Sequence, residues 1–355
     1  MTTSAPQGAR RAPAPLALTM GDPSGIGLDI TLTAWTKRAE RGIAPFVLFG
    51  DPAALEARAQ ALGIAVSIAT IDDLANAPAL FDTSIPVLPV RCAASVVAGA
   101  PDPRNAPAII GAIEAAVLAV RRDAARAVVT NPIAKSVLMA DGFPHPGHTE
   151  FLGALAEEHF AVSNVRPVML LASDELKVVP LTVHIPLAEV PKAITSRNIV
   201  ATTQILHRSL VTDFGIANPR IAVTGLNPHA GEDGKIGDED ERIIAIAIAA
   251  LRDGGMAVTG PHPADTLFHA AARETYDAVL AMYHDQALIP IKTLAFDTGV
   301  NVTIGLPFVR TSPDHGTAFS IAGTGEARAS SLIEALKLAD AIAARRSAIG
   351  AEAVQ

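Results

Sequence analysis

Strand and helix patterns alternate along this chain, and the alternation predicts an α/β protein built on a largely parallel sheet. Three observations carry that prediction. Short apolar runs such as Leu16–Met20, Phe46–Gly50 and Val168–Ala172 recur between turn residues, as buried strands do. Longer stretches with helical spacing lie between them. Finally, His184, His229 and His284 each sit in a polar, turn-rich motif directly after such a run. In sheets of this kind, ligand-binding groups stand beyond the carboxyl ends of the strands.

Taken in order, Leu16–Met20 reads as a strand and Leu28–Arg38 as a helix, joined by the turn Gly21-Asp22-Pro23-Ser24-Gly25-Ile26-Gly27. Phe46–Gly50 is the next strand, with a helix over Pro52–Leu62. A helix over Ala106–Arg122, a strand over Ala127–Thr130 and a helix near Phe151–Glu158 follow. Strands are expected at Val168–Ala172 and Val178–Val183, and a helix over Ser196–Leu210. The chain then reads as strand Arg220–Thr224, helix Glu239–Arg252, strand Ala278–Ala281 and a C-terminal helix Ser330–Ala344. Asp141–Gly147 and Gly299–Pro313 are rich in loop residues and are the candidate hinges.

The 355 residues are 50% hydrophobic and 18% charged, enough for a packed core and long enough to favour two domains. A formal net charge of -8 without a basic stripe argues against nucleic acid as a partner. The longest strongly apolar stretch, Ile243–Leu251, falls well short of the roughly 20 residues a bilayer span needs, so no membrane association is expected. Cys92 is the only cysteine, which rules out an intrachain disulfide and fits a reducing, cytoplasmic setting. Met1–Pro15 reads as a disordered tail rather than a secretory signal, because it has no apolar central segment.

Three imidazoles at strand ends can converge on one divalent ion and leave a position open for a substrate, which suits a catalytic metal. Their long separations make this convergence a matter for the fold. Thr149, in Gly147-His148-Thr149-Glu150, is either an N-cap or part of a polar platform for a phosphate or carboxylate. Asp265, in a rigid Pro-rich loop, either caps the next helix or orients a reacting group. Lys292, Asn301 and Arg310 are suited to bind one anion, with Arg310 as the bidentate contact, and Lys292 can also transfer a proton. His315, Gly316 and Thr317 form either an ordinary capped turn or a loop whose glycine lets backbone approach a flat ligand. The turn Gly21–Gly27 either presents amides to an anion or is simply tight, and the two readings stand level. No G-x-G-x-x-G fingerprint or Walker A sequence occurs, so any dinucleotide is held another way.

Taken together, several runs resemble the 4-hydroxythreonine-4-phosphate dehydrogenase family, NAD-dependent enzymes of pyridoxal 5'-phosphate biosynthesis. They are Gly21-Asp22-Pro23-Ser24-Gly25-Ile26-Gly27, Thr130-Asn131-Pro132-Ile133-Ala134-Lys135, His145-Pro146-Gly147-His148-Thr149-Glu150-Phe151, Asn227-Pro228-His229-Ala230-Gly231-Glu232, Gly260-Pro261-His262-Pro263-Ala264-Asp265-Thr266, Tyr283-His284-Asp285-Gln286 and Ser312-Pro313-Asp314-His315-Gly316-Thr317. The resemblance implies an isocitrate/isopropylmalate-dehydrogenase-like fold: two α/β domains with a cleft between them and non-Rossmann NAD binding. The division expected is residues 1–15 as tail, 16–145 with 300–345 as the first domain, and 146–299 as the second, carrying a homodimer interface.

The resemblance also implies that His184, His229 and His284 bind a divalent metal (Zn2+, Mg2+, Mn2+ or Co2+) at that interface. His148, Thr149, Lys292, Asn301 and Arg310 are implied to contact the substrate, Lys292 and Asp265 to act in catalysis, and His315–Thr317 to meet NAD or NADP. The implied substrate is 4-phosphooxy-L-threonine. Its oxidation yields a β-keto acid that loses CO2 to give 3-amino-2-oxopropyl phosphate. Alternatives within the fold are dehydrogenases of 4-phospho-D-threonate, 4-phospho-D-erythronate or a diol from aromatic degradation. Outside that class stand a phosphate acyltransferase and a non-catalytic protein with a structural zinc.

Overall fold

The computed structural model describes residues 13–145 and 147–352. Along the chain the strands are β1 Leu16–Thr19, β2 Phe46–Gly50, β3 Ile68–Thr70, β4 Ile85–Pro89, β5 Val128–Thr130, β6 Val168–Ala172, β7 Lys177–Pro180, β8 Arg220–Thr224, β9 Ala257–His262, β10 Ala278–Ala281, β11 Val300–Ile304 and β12 Arg310–Pro313. They form one twelve-stranded sheet in the order β3-β4-β2-β1-β5-β12-β11-β6-β7-β10-β8-β9. Strands from the first part of the chain, joined by β12, make one half. Strands from the middle make the other half, with β11 at the junction.

Side chains alternate across the pleat and so feed two cores. Leu16, Leu18, Phe46 and Leu48 enter one cluster, while Ala17, Val47 and Phe49 enter the cluster on the opposite face. Both faces are covered by helices, which is why these strands read as continuous apolar runs. Each large side chain buried this way contributes roughly 1.5–3 kcal/mol. Helix starts follow local chemistry. Asp51 Oδ1 accepts from the amides of Ala53 and Ala54, and Pro52 occupies the first helical position of Pro52–Ala61. Thr195 caps Ser196–Thr212 by accepting from the Asn198 amide.

The sheet is largely parallel, as the alternation predicts, and its antiparallel pairings fall in mid-sheet: β11 with β12 and with β6, and β6 with β7. Several other expectations need correction. Gly299–Pro313 is not a loop. It contains two strands whose polar residues Thr303, Arg310, Thr311 and Ser312 are buried, so its composition mimics a loop. The strand expected to reach Val183 leaves the ladder after Pro180. A helix over His284–Ala295 was hidden by Pro290 inside it. Strands Ile68–Thr70, Ile85–Pro89 and Ala257–His262 are additional, short and only partly apolar. Of the expected tail, residues 1–12 lie outside the described residues, whereas Pro15 is buried and its carbonyl accepts from the Arg126 amide.

Candidate functional site

A cleft of about 790 Å³ lies at the middle of the sheet, lined by Thr130 of β5, Val168 and Met169 of β6, Pro180 of β7, Asn301 of β11 and Arg310, Ser312 and Pro313 of β12. It is lined by His148, Thr149, His184, Lys292, Asn301, Arg310, His315 and Gly316, together with residues not anticipated, among them Asn131, Arg166 and Asp314. Most of the expected ligands therefore meet at one place.

Arg310, at the start of β12, is 4% exposed. It donates from Nη1 to Thr303 Oγ1 at 2.8 Å and from Nη2 to Thr130 Oγ1 at 2.7 Å. Its third contact is His148 Nδ1 at 3.3 Å, and its Nε is buried with no partner among the described residues. Burial pushes the guanidinium down to about 10. These partners are two hydroxyls and an imidazole, none of them a carboxylate. A buried cation compensated only by dipoles is a receptor for an anion.

His148 opens the helix His148–His159, with Gly147 as its N-cap. Thr149 is thus the second helical residue and not the cap. Gly147 is extended there and Glu150 folds back over it, so a side chain at the cap position would meet Glu150 Oε2. Burial, and secondarily the Arg310 charge, hold His148 well below the ordinary imidazole value, so the ring is neutral. Its Nε2 is buried and unpartnered among the described residues, as is Asn301 Oδ1.

Lys292 projects from the last turn of the His284–Ala295 helix rather than from a loop. Its ammonium donates to the Asp314 carbonyl at 2.5 Å and pairs with Asp314 Oδ2 at 2.6 Å. Asp314 lay within a quoted motif, yet nothing local marked it as the partner of a residue on another element. The next residue, His315, has its pKa lowered chiefly by burial, and its Nε2 is buried without a partner among the described residues.

The turn Gly21–Gly27 resolves in favour of packing. Its amides are spent internally: Asp22 N donates to Pro132 O, Ser24 N to Asp22 Oδ1, Gly25 N to Asp22 O and Ile26 N to Thr317 O. Gly21, at φ +69°, would place a Cβ 2.5 Å from Pro132 O, and Gly25 one 2.8 Å from Thr317 O. Beneath the turn Arg58 pairs with Asp29 and also donates to the carbonyls of Gly25 and Pro23. The turn is the seat on which the His315–Thr317 loop rests.

The three histidines follow β7, β8 and β10, which are neighbours in the sheet. The rings of His184 and His284 are 5.8 Å apart. His284 Nδ1 meets Asp285 Oδ1 at 2.7 Å, an arrangement that leaves Nε2 for a ligand. His229 lies in a separate depression with Asp265, Asn227 and Gln286. Among the described residues, no three His, Cys, Asp or Glu side chains within this chain are set to hold one ion. Asp265 caps no helix; it lies within the short turn Ala264–Thr266, which Pro263 precedes. Two residues that sequence reasoning passed over brace this region. Asp240, fully buried, accepts from the Leu226 and Asn227 amides and from Asn227 Nδ2. Gln286 accepts from Thr224 Oγ1 and the Met282 amide and donates to the Gly225 carbonyl, tying β8 to β10.

The profile of the pyridoxal phosphate biosynthetic protein PdxA family matches residues 42–339. A 4-hydroxythreonine-4-phosphate dehydrogenase of Methylorubrum extorquens is 56% identical over 333 residues, 93% of this chain and 95% of that protein. The crystal structure of the 4-hydroxythreonine-4-phosphate dehydrogenase from Klebsiella pneumoniae superposes with a TM-score of 0.82 at 37% identity, covering 94% of this chain and 99% of that one. A terephthalate 1,2-cis-dihydrodiol dehydrogenase from Burkholderia xenovorans is more distant, with a TM-score of 0.59 at 27% identity over 92% of this chain and 98% of its own.

Proposed function

Because the chain belongs to the PdxA family of pyridoxal phosphate biosynthetic proteins, we propose that it oxidises 4-phosphooxy-L-threonine to a β-keto acid that loses CO2, giving 3-amino-2-oxopropyl phosphate. The observation that carries the proposal is the buried Arg310 guanidinium, whose described partners include no carboxylate and which shares a cleft with His148, Lys292 and Asn301. Such a cleft suits a small substrate with two anionic ends. Arg310, the neutral His148 and Thr149 at the helix start bind one end, and Asn301 and Lys292 orient the rest. The alcohol carbon gives up a hydride and its oxygen a proton. A water that the Lys292 ammonium orients takes that proton and passes it to solvent. When bound, NAD or NADP supplies the hydride acceptor, and a divalent ion (Zn2+, Mg2+ or Co2+) supplies Lewis acidity. His315, Gly316 and Thr317 are the groups for the nucleotide, and His184, His229 and His284 those for the ion.

The depression that holds His229 and Asp265 is separate from the cleft of its own chain, which supports a homodimer in which subunits complete each other's sites. Leu187, Ile289 and Phe296 are more than half exposed on the segments that carry His184 and Lys292, a surface a second subunit would cover. Residues 16–145 with 300–345 and residues 146–299 are the proposed two domains, on either side of the cleft.

The test is a steady-state assay with 4-phosphooxy-L-threonine, NAD and a titration of each metal, run beside 4-phospho-D-threonate, 4-phospho-D-erythronate and a cyclic cis-diol. NADH formation with the highest kcat/KM on 4-phosphooxy-L-threonine is expected. A higher value on any competitor reassigns the substrate, and absence of reduced nucleotide from all four, with NAD and with NADP, rejects the reading.

A further inference from the structure

The contact between Lys292 and Asp314 joins two parts of the cleft that the proposed function uses for different ligands. Lys292 reaches from the His284–Ala295 helix and grips Asp314 twice, at its carbonyl and at its carboxylate. Asp314 is the first residue of the stretch leading into His315–Thr317. Its amide donates to Ser331 Oγ at 2.9 Å, and that hydroxyl donates to the Gly299 carbonyl at 2.7 Å. Three residues on, the Thr317 carbonyl accepts from the Ile26 amide at 2.9 Å. The loop is therefore pinned at both ends, to the C-terminal helix and to the glycine turn. Between the pins, a Cβ built on Gly316 meets nothing within 4 Å, and His315 lines the cleft with its buried Nε2 unpartnered among the described residues. The middle of the loop is the part left free to meet a ligand.

We infer that Asp314 is a positioning residue that couples the two ligands: whatever orders the His315–Thr317 loop also holds Lys292 ready for the substrate. The inference rests on the proposed roles of Lys292 and of the loop. A lysine side chain has several rotatable bonds, and fixing it before the substrate arrives removes that entropy from the binding step. The coupling is reciprocal by thermodynamic necessity, so the substrate must tighten the nucleotide by the same factor.

NADH with 4-phosphooxy-L-threonine forms a non-reacting ternary pair, which allows equilibrium measurement on the metal-loaded enzyme. NADH fluorescence titrations with and without saturating 4-phosphooxy-L-threonine give the coupling factor. In the wild type, the substrate is expected to tighten NADH by about five-fold or more. In Asp314→Ala the factor is expected to fall to within about two-fold of one, while NADH alone still binds. Asp314→Asn, which keeps volume and an acceptor, is expected to lie between them, and it serves alone if the alanine variant does not fold. A wild-type factor of one, or a factor unchanged in both variants, overturns the inference and leaves the proposed function standing. A wild type that binds neither NADH nor NADPH in either condition overturns the cofactor reading, and this inference with it.

Discussion

Arg310 Nη2 donates to His148 Nδ1 across 3.3 Å. A guanidinium has only donors, so Nδ1 must accept and the imidazole proton must sit on Nε2. That Nε2 is buried and unpartnered among the described residues, as is Arg310 Nε. One contact thus selects the tautomer of the histidine and leaves two donors for an incoming anion. Burial keeps the ring neutral, so it binds through a dipole while Arg310 supplies the charge.

Replacing Arg310 with Lys keeps a positive charge but loses the fork that spans Thr130, Thr303 and His148. Truncating one partner of a buried charged contact costs about 2–5 kcal/mol. The variant should therefore lose roughly 30-fold to 5000-fold in kcat/KM for the phosphorylated substrate. A kcat/KM within threefold of wild type would remove Arg310 from the anion site.

Stability should depend on pH through His148. In the folded chain its pKa is held well below the ordinary 6.5, to which it returns on unfolding. Above that ordinary value both states are neutral and the stability is complete. As pH falls from there toward the folded value, the unfolded state takes the proton first and stability drops by up to about 1.4 kcal/mol per pH unit. Half-buried His315, also shifted down, acts in the same direction. The drop in Tm between about pH 7.5 and about pH 5.5 should be smaller in His148→Gln than in wild type. Equal drops would show that His148 is not the group responsible.

In Gly25→Ala the new Cβ would stand 2.8 Å from the Thr317 carbonyl, a backbone atom held by the Ile26 amide. Either the turn or the His315–Thr317 loop must move, at about 1–3 kcal/mol. Because the loop is the proposed nucleotide contact, KM for NAD should rise more than KM for the phosphorylated substrate. Equal changes in the two constants would point to general misfolding instead.

Asp29 and Arg58 form an ion pair that is almost fully buried, with side-chain exposures of 3% and 4%. Asp29→Leu alone would strand the Arg58 charge and should lower the unfolding free energy by about 3–5 kcal/mol. The double variant Asp29→Leu with Arg58→Met should be less damaged, since no charge is left unpaired. Denaturant unfolding of the three proteins checks the order, and a double variant worse than the single would refute it.

His229→Ala should reduce bound divalent metal, measured by elemental analysis, and abolish NADH formation. Full activity in protein that carries no metal would rule out the metal-assisted reading.

The legibility of the chain was uneven for physical reasons. Phe46–Gly50, Val168–Ala172, Arg220–Thr224 and Ala278–Ala281 were read to the residue because both sides of each strand are buried and the run is apolar. Val300–Ile304 and Arg310–Pro313 were taken as loop because Asn301, Arg310 and Ser312 serve the cleft, and functional polarity erases the apolar signal of a buried strand. Pro290 concealed the helix that carries Lys292. The three histidines were legible as strand-end groups, but their separation into a close pair and an isolated third was not.

By itself the sequence determined the α/β class, the order of most elements and the residue types able to bind an anion and a metal. These follow from local periodicity, turn chemistry and motif, which act over a few residues. Only the tertiary structure decided that Arg310 meets His148, 162 positions away, and that Lys292 is held by Asp314. It alone also made Gly21–Gly27 a packed seat for a neighbouring loop and not an anion cradle. Those contacts depend on the order of strands in the sheet, which sets β12 between β5 and β11. That order is fixed by the competition of all strands for partners, a global choice that local spacing does not record.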